Sequence, residues 1–179
     1  SVASSADGSR FAAVAGGNDI FTSSDGGATW TDQTASGARN WQRIASSADG
    51  LKLTAIVAGG GDIYTSADGG VTWIDRSSAG TRSWWAINSS ADGTKLVAAV
   101  DGGDIYTSTD SGATWTDRAS AGSRAWRSIA STPDGTKLAA VATDGDIYTS
   151  TDSGATWTDR VSAGSLRWFA ITMSTDGTK

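Results

Sequence analysis

A phrase of eight residues is written four times along the chain: SSDGGATW at 23–30, SADGGVTW at 66–73, and STDSGATW at both 108–115 and 150–157. Asp-Gly pairs keep the same beat, at 7–8, 49–50, 92–93, 134–135 and 176–177, giving spacings of 42, 43, 42 and 42 residues. The run DIYTSTDSGATWTDR stands unchanged at 104–118 and 146–160. A fixed period of this length constrains the fold more than any other feature. Each unit is a small supersecondary block that buries its apolar face only against the next copy. The 179 residues divide near 7–48, 49–91, 92–133 and 134–175, with a fifth copy starting at 176, and read as one continuous segment.

One unit carries four strand signals. In the third copy these are WRSIAS (126–131), KLAAVA (137–142), DIYTS (146–150) and TWTDRVS (156–162), here called strands A to D. The turns between them are TPDG, TDG and TDSGA, and Asp-Gly between strand-like runs is a strong hairpin signal. KLAAVA is apolar throughout, as expected of a strand buried on both faces. Thr, Val and Trp recur, whereas Glu is absent and Met occurs once, which favours strands over helices. Four short strands in each unit of about 42 residues predict an all-β fold, a β-propeller of four-stranded antiparallel blades. A parallel β-helix is the rival, but its rungs are shorter and carry no Trp-bearing hairpin in every repeat.

The repeated phrase falls on the C–D hairpin. Asp25, Asp68, Asp110 and Asp152 are placed to accept hydrogen bonds from backbone N–H groups of their own turn. Gly27, Gly70, Gly112 and Gly154 supply a backbone shape that a Cβ disfavours. Trp30, Trp73, Trp115 and Trp157 open strand D and cover the hairpin with a large apolar plate. All of these solve folding problems. A calcium loop would need several oxygen ligands at alternating positions, and the phrase supplies one carboxylate plus hydroxyls, so no metal is expected.

Ser-x-Asp-x-Gly-x-Thr-Trp resembles the Asp-box, or BNR repeat, of sialidase-type propellers. Similar boxes occur in xyloglucanase-like glycoside hydrolases, sortilin-like receptors and photosystem II assembly-factor-like proteins. The likeness extends over all four units. It implies a propeller in which the box is structural and lies away from the ligand face. It does not choose a function, because those families differ in what they do.

In such a meander the A–B turns and the boxes share one end, and the B–C and D–A loops share the other. The second end leads into strand A, the strand nearest the axis, and is the expected ligand face. It carries Arg39, Arg82, Arg124 and Arg167 beside Trp41, Trp84, Trp126 and Trp168, with Arg76, Arg118 and Arg160 ending strand D and Gln33 in the first copy. Two readings stand: a ring of Arg and Trp that grips carboxylates, sulfates or sugar faces, or Trp packed between blades with Arg paired to Asp32, Asp75, Asp117 or Asp159. One position breaks the repetition. The residue after the strand A Trp is Gln42, Trp85, Arg127 or Phe169, as at a relaxed position or a shaped pocket. The B–C loops add Asp19, Asp62, Asp104 and Asp146, and also Asp101 and Asp144.

Composition limits the chemistry. A net charge of −5 argues against nucleic acid. No apolar run approaches the roughly 20 residues of a membrane span. There is no Cys for thiol chemistry and no His for general base catalysis. Sialidase-like catalysis uses a Tyr–Glu pair, which a chain without Glu cannot complete. Xyloglucanase-like catalysis uses two Asp, and a hydrolase needs its two carboxylates in distinct settings. Nearly every Asp here recurs in register, Asp101 being the exception. The expectation is a cofactor-free, non-catalytic binding or scaffold module with a glycan or protein partner. A fragment of an Asp-box glycoside hydrolase and an assembly-factor-like protein binder are the alternatives.

The phase of the repeat reads as strands B to D of a first blade, three full blades and a last strand A at WFAITMS (168–174). Four blades is the lower limit of the architecture. The closed ring is therefore expected to be larger, made by two chains or by a longer one. Abundant Ser, Thr, Asp and Gly with little Lys resembles bacterial secreted or surface propellers, which sets the expected location.

Overall fold

The computed structural model describes residues 1–179. Four antiparallel four-stranded blades follow one another along the chain. Blade 1 comprises Val2–Ser4, Phe11–Val14, Ile20–Ser23 and Thr31–Gln33 as strands A to D. Blade 2 comprises Arg39–Ser46, Leu53–Val57, Ile63–Ser66 and Ile74–Asp75. Blade 3 comprises Trp84–Ser89, Leu96–Gly103, Ile105–Ser108 and Thr116–Asp117. Blade 4 comprises Arg124–Ser131, Leu138–Ala142, Ile147–Ser150 and Thr158–Asp159. The ends of strand A from all four blades, with Met173 and Thr175 of the segment after blade 4, surround one open cavity of about 270 Å³. The blades thus fan around a common axis as a partial β-propeller.

Two sequence expectations need correction. Strand D does not run to residue 162 but stops at Asp159. Arg160, at φ −99 and ψ 61, turns the backbone out of the sheet, and Val161–Ala163 wind into a 3₁₀ turn closed by Gly164 at φ 79. The same turn recurs at Thr34–Ser36, Ser77–Ala79 and Ala119–Ala121. Secondly, blade 1 has its own strand A. Val2 pairs with Ala13, Ala3 with Ala12 and Ser4 with Phe11, so residues 168–174 do not complete that blade. They lie beyond blade 4 without strand pairing, although Ile171 N–H donates to Ser128 Oγ at 3.2 Å.

The core consists of three layers, each between neighbouring blades. Between blades 1 and 2, Ala12, Val14 and Ile20 meet Trp41, Ile44, Leu53 and Ala55. Between blades 2 and 3, Ile56 and Ile63 meet Trp84, Ile87, Ala98 and Tyr106. Between blades 3 and 4, Val97, Ala99 and Ile105 meet Trp126, Ile129, Leu138 and Tyr148. Alternation along each strand sends one set of side chains to the preceding blade and the other to the following one. This explains why strand B is apolar on both faces.

The strand A Trp is the largest piece of each layer. Trp41, Trp84 and Trp126 stand edge-on to Tyr64, Tyr106 and Tyr148, with ring centroids 5.3, 5.3 and 5.2 Å apart. This is the edge-to-face arrangement that ring quadrupoles favour. Backbone bonds also clasp the blades together. Ala6 N–H donates to Ala48 C=O, Ala48 to Ala91 and Ala91 to Pro133, at 2.7–2.8 Å. Pro133 has no N–H and ends this chain of bonds, while Lys52 Nζ and Lys137 Nζ add bonds to the Asp92 and Asp176 carbonyls of the following turns.

Trp84 is fully buried, whereas Trp30 is 43% exposed. Replacing Trp84 with Ala should therefore cost about 3–5 kcal/mol of folding stability. Trp30→Ala should cost clearly less. Urea unfolding of the two variants checks the order.

Candidate functional site

The repeated phrase folds into a closed local circuit. Ser108 Oγ donates to Asp110 Oδ1 at 2.8 Å and accepts the Gly112 N–H at 2.9 Å. Thr114 gives Asp110 both its N–H, at 2.9 Å, and its hydroxyl, at 2.6 Å. Trp115 Nε1 donates to Gly112 C=O at 3.1 Å. Asp25, Asp68 and Asp152 sit in the same circuit with Thr29, Thr72 and Thr156. The four carboxylates point into their own bends. Gly112 has φ 85, and a Cβ there would lie 3.1 Å from the Thr65 methyl of the preceding blade, so the hairpin also serves the inter-blade contact.

These bonds hold the carboxylates in their charged form. The Thr114 hydroxyl and then its N–H bring Asp110 down to about 2 from 3.8. Asp25 and Asp152 are lowered to about 2 by the equivalent Thr29 and Thr156 bonds. In the A–B turns the Ser90 and Thr132 hydroxyls do the same to Asp92 and Asp134. The box end is thus filled with carboxylates already satisfied by their own loops.

At the opposite end the repeated arginines are bound into the fold. The guanidinium groups of Arg39, Arg82 and Arg124 lie over the rings of Tyr64, Tyr106 and Tyr148, 4.4–4.6 Å from the centroids. Arg82 and Arg124 also donate Nε to the carbonyls of Ala79 and Ala121 at 3.2 Å, and Arg39 donates Nη1 to Ser36 C=O. The Arg–Asp pairing within strand D does not form. Tyr106 donates its hydroxyl to Asp117 at 3.0 Å instead. Burial first, then this bond, pushes the Tyr106 hydroxyl up from 10.0. Arg76, Arg118 and Arg160 donate Nε to Thr65, Thr107 and Thr149 at 2.7 Å, and Gln33 makes the matching bond to Thr22. Arg167 has no Tyr beneath it. It lies exposed, 3.8 Å from Asp144. Trp41, Trp84 and Trp126 are buried, and Trp168 is half-buried.

The position that breaks the repetition has a structural cause. Trp41 pairs with Val57 but Arg43 with Ile56, so Gln42 is an extra residue in the ladder. Trp85 and Arg127 are the same extra residue in blades 3 and 4. A bulge of this kind re-aims a side chain. It brings Trp85 and Arg127 of adjacent blades together, the guanidinium 4.6 Å from the indole centroid. Arg127 Nη1 also meets Asp101 Oδ1 at 2.8 Å, and its Nε donates to Thr143 Oγ1 at 2.8 Å. Arg43 Nε donates to the Trp85 carbonyl at 2.9 Å. Gln42, Trp85 and Arg127 are all partly exposed. Phe169, the fourth of the set, lies outside any strand and is 67% exposed.

Sequence reasoning named Trp85, Arg127 and Asp101 separately and missed their union with Thr143. A signal was present: Asp101 and Arg127 are both singular in their register, and they fall in adjacent blades. The axial cavity opens at the other end, among Ser4, Ser46, Ser89, Ser131 and Met173, and its lining holds no charged or aromatic side chain.

No protein-family model matches the chain, and no curated protein matches its sequence. Among solved structures it superposes on β-propeller proteins. A GH74 enzyme of Niastella koreensis gives a TM-score of 0.67 at 23% identity, covering 88% of this chain and 23% of that one. YCF48 bound to a D1 peptide gives 0.68 at 18% identity, covering 90% and 54%. A structure of the nidogen/laminin complex gives 0.77 at 13% identity, covering 97% and 67%. The chain therefore spans about a quarter of the first and half of the second. At these identities the likeness is one of fold.

Because folding lowers the turn carboxylates from 3.8 to about 2, their stabilisation is complete above about pH 4 and is lost as pH falls through about 2. Thermal unfolding between pH 6 and pH 2 should show a midpoint that holds and then drops. Asp110→Asn should lower the midpoint at pH 6 and flatten the drop.

Proposed function

We propose that the chain is a segment of an Asp-box propeller that acts as a non-catalytic binding module. Its partner is a polypeptide, held at the end formed by the B–C and D–A loops. The single observation behind this reading is the Trp85–Arg127–Asp101 cluster. Bulges on the axis-lining strands free Trp85 and Arg127 to vary between otherwise near-identical repeats, Asp101 occurs in one copy only, and all three remain partly exposed. Scaffold residues recur in every copy, whereas residues that read a partner need not.

The chemistry suits a peptide. The partly exposed Trp85 indole and the Arg127 guanidinium stacked on it offer an apolar surface beside a hydrogen-bonding group. Two of the structural neighbours are protein complexes by description, one with a D1 peptide and one of nidogen with laminin. A hydrolytic role fits less well. The box and A–B turn carboxylates are tied into their own loops, and Asp101 is paired with Arg127.

Parallel screening of the chain against an immobilised peptide library and a glycan array tests the proposal. Peptide binders should appear, and Trp85→Ala or Arg127→Ala should weaken them at least tenfold while leaving the melting midpoint within a few degrees. Binding confined to glycans, or turnover of β-glucans or sialosides, would replace this reading.

A further inference from the structure

The same cleft lies at each of the three joints between blades, at the box end, but its size differs. Strands B, C and D of one blade form one wall, and the A–B turn and box of the next blade form the other. The cleft holds about 210 Å³ between blades 1 and 2, about 70 Å³ between blades 2 and 3 and about 10 Å³ between blades 3 and 4. Three residues set the large one apart. Gln33 stands where Arg76 and Arg118 do, Gly69 where Ser111 and Ser153 do, and Arg10 where Lys52 and Lys95 do. A shorter side chain at 33 and none at 69 leave room. Thr22, bonded to Gln33, is half-buried, whereas its counterparts Thr65 and Thr107 are buried. Both blades that wall this cleft are complete four-stranded sheets.

Arg10 is the charged group here that the fold leaves unused. Its stem packs on Gly50, where an added Cβ would lie 2.7 Å from Arg10 Cβ, and its Nη1 is 3.8 Å from the Cβ position of Gly69. The Arg10 backbone N–H donates to Ser5 Oγ at 2.9 Å, but the guanidinium makes no hydrogen bond and no ion pair. Lys52 at the same station is tied to Asp92 C=O at 2.8 Å. Beside Arg10 in the cleft, the Ser24 and Thr31 hydroxyls are exposed and make no bond within the protein. Gln33 donates Nε2 to Thr22 Oγ1 at 2.7 Å and keeps its amide oxygen as an acceptor. Phe11 adds an aromatic wall. Asp68, in the opposite wall, is held by Ser66 and Thr72 in its own bend.

We propose that the cleft between blades 1 and 2 is a second binding site, which takes one uronate unit of an acidic glycan. Arg10 receives the carboxylate, because a guanidinium fork matches its two oxygens. Ser24, Thr31 and the Gln33 oxygen take the sugar hydroxyls, which both donate and accept. Phe11 lies against the apolar edge of the ring. The charge balance selects a single negative charge: one guanidinium faces the ligand while the Asp68 carboxylate stands in the same cleft, so a phosphate dianion is disfavoured. The volume admits one sugar ring, being below the roughly 300–1,000 Å³ of sites for drug-sized molecules. The other two joints lack both the room and the guanidinium, so the site occurs once.

NMR titration of the full chain with glucuronate tests this, with glucose and inorganic phosphate as comparison probes. Glucuronate should bind saturably and at least tenfold more tightly than either. Arg10→Ala should weaken it at least tenfold. Gln33→Arg installs the residue that blades 2 and 3 already carry at this station. It should refill the cleft and weaken binding at least tenfold, with the melting midpoint kept within a few degrees. Trp85→Ala should leave glucuronate binding unchanged, which separates this site from the peptide face. No saturable binding of glucuronate, equal binding of glucose or phosphate, or glucuronate binding indifferent to Arg10→Ala or to Gln33→Arg would each overturn the proposal.

Discussion

The Trp that opens strand A is the contact on which the rest of the molecule depends. No blade of four short strands can bury both of its faces alone. The indole ring lies between one blade's Tyr and the apolar side of the blade before it. It fills space between the two sheets that the short aliphatic side chains do not. Remove that ring and each joint loses its largest buried side chain. The guanidinium of the nearby Arg lies over the Tyr ring, which is why Arg39, Arg82 and Arg124 are held in the fold.

The hairpin phrase answers a different demand. Strands C and D, of two to four residues, cannot set their own register, so the turn must do it. A Ser that donates to Asp and accepts from Gly, and a Thr that gives Asp two bonds, define the C–D bend without help from outside. The Trp that follows and the Gly that admits the neighbouring Thr methyl then link this local circuit to the next blade. Local closure and inter-blade packing therefore share the same eight residues, and this is a physical reason for the phrase to be kept in every copy.

Positions that neither demand controls are the ones that vary between copies. The bulge residue in strand A belongs to no ladder pair, so it can change without breaking a blade. Gln42, Trp85 and Arg127 take advantage of this. Blade 3 supplies the indole and Asp101, blade 4 the guanidinium and Thr143, and the cluster exists only where two blades meet.

Period, strand order, turn positions and the inward aim of the box carboxylates were legible in the residues, because each rests on bonds spanning about five residues or on simple alternation. The D strand was misread beyond Asp159, since TDRVS has strand-like composition while the fold needs a tight 3₁₀ turn to step to the next blade. Pairing of the arginines with Tyr instead of Asp, the ownership of residues 2–4 by blade 1 and the bulge at Trp85 were decided only in three dimensions. Asp101 meets Arg127, and Arg43 reaches Trp85, across a gap between blades that no local rule describes. Short-range hydrogen bonding writes the repeat. The packing of one sheet against the next decides which side chains are left free.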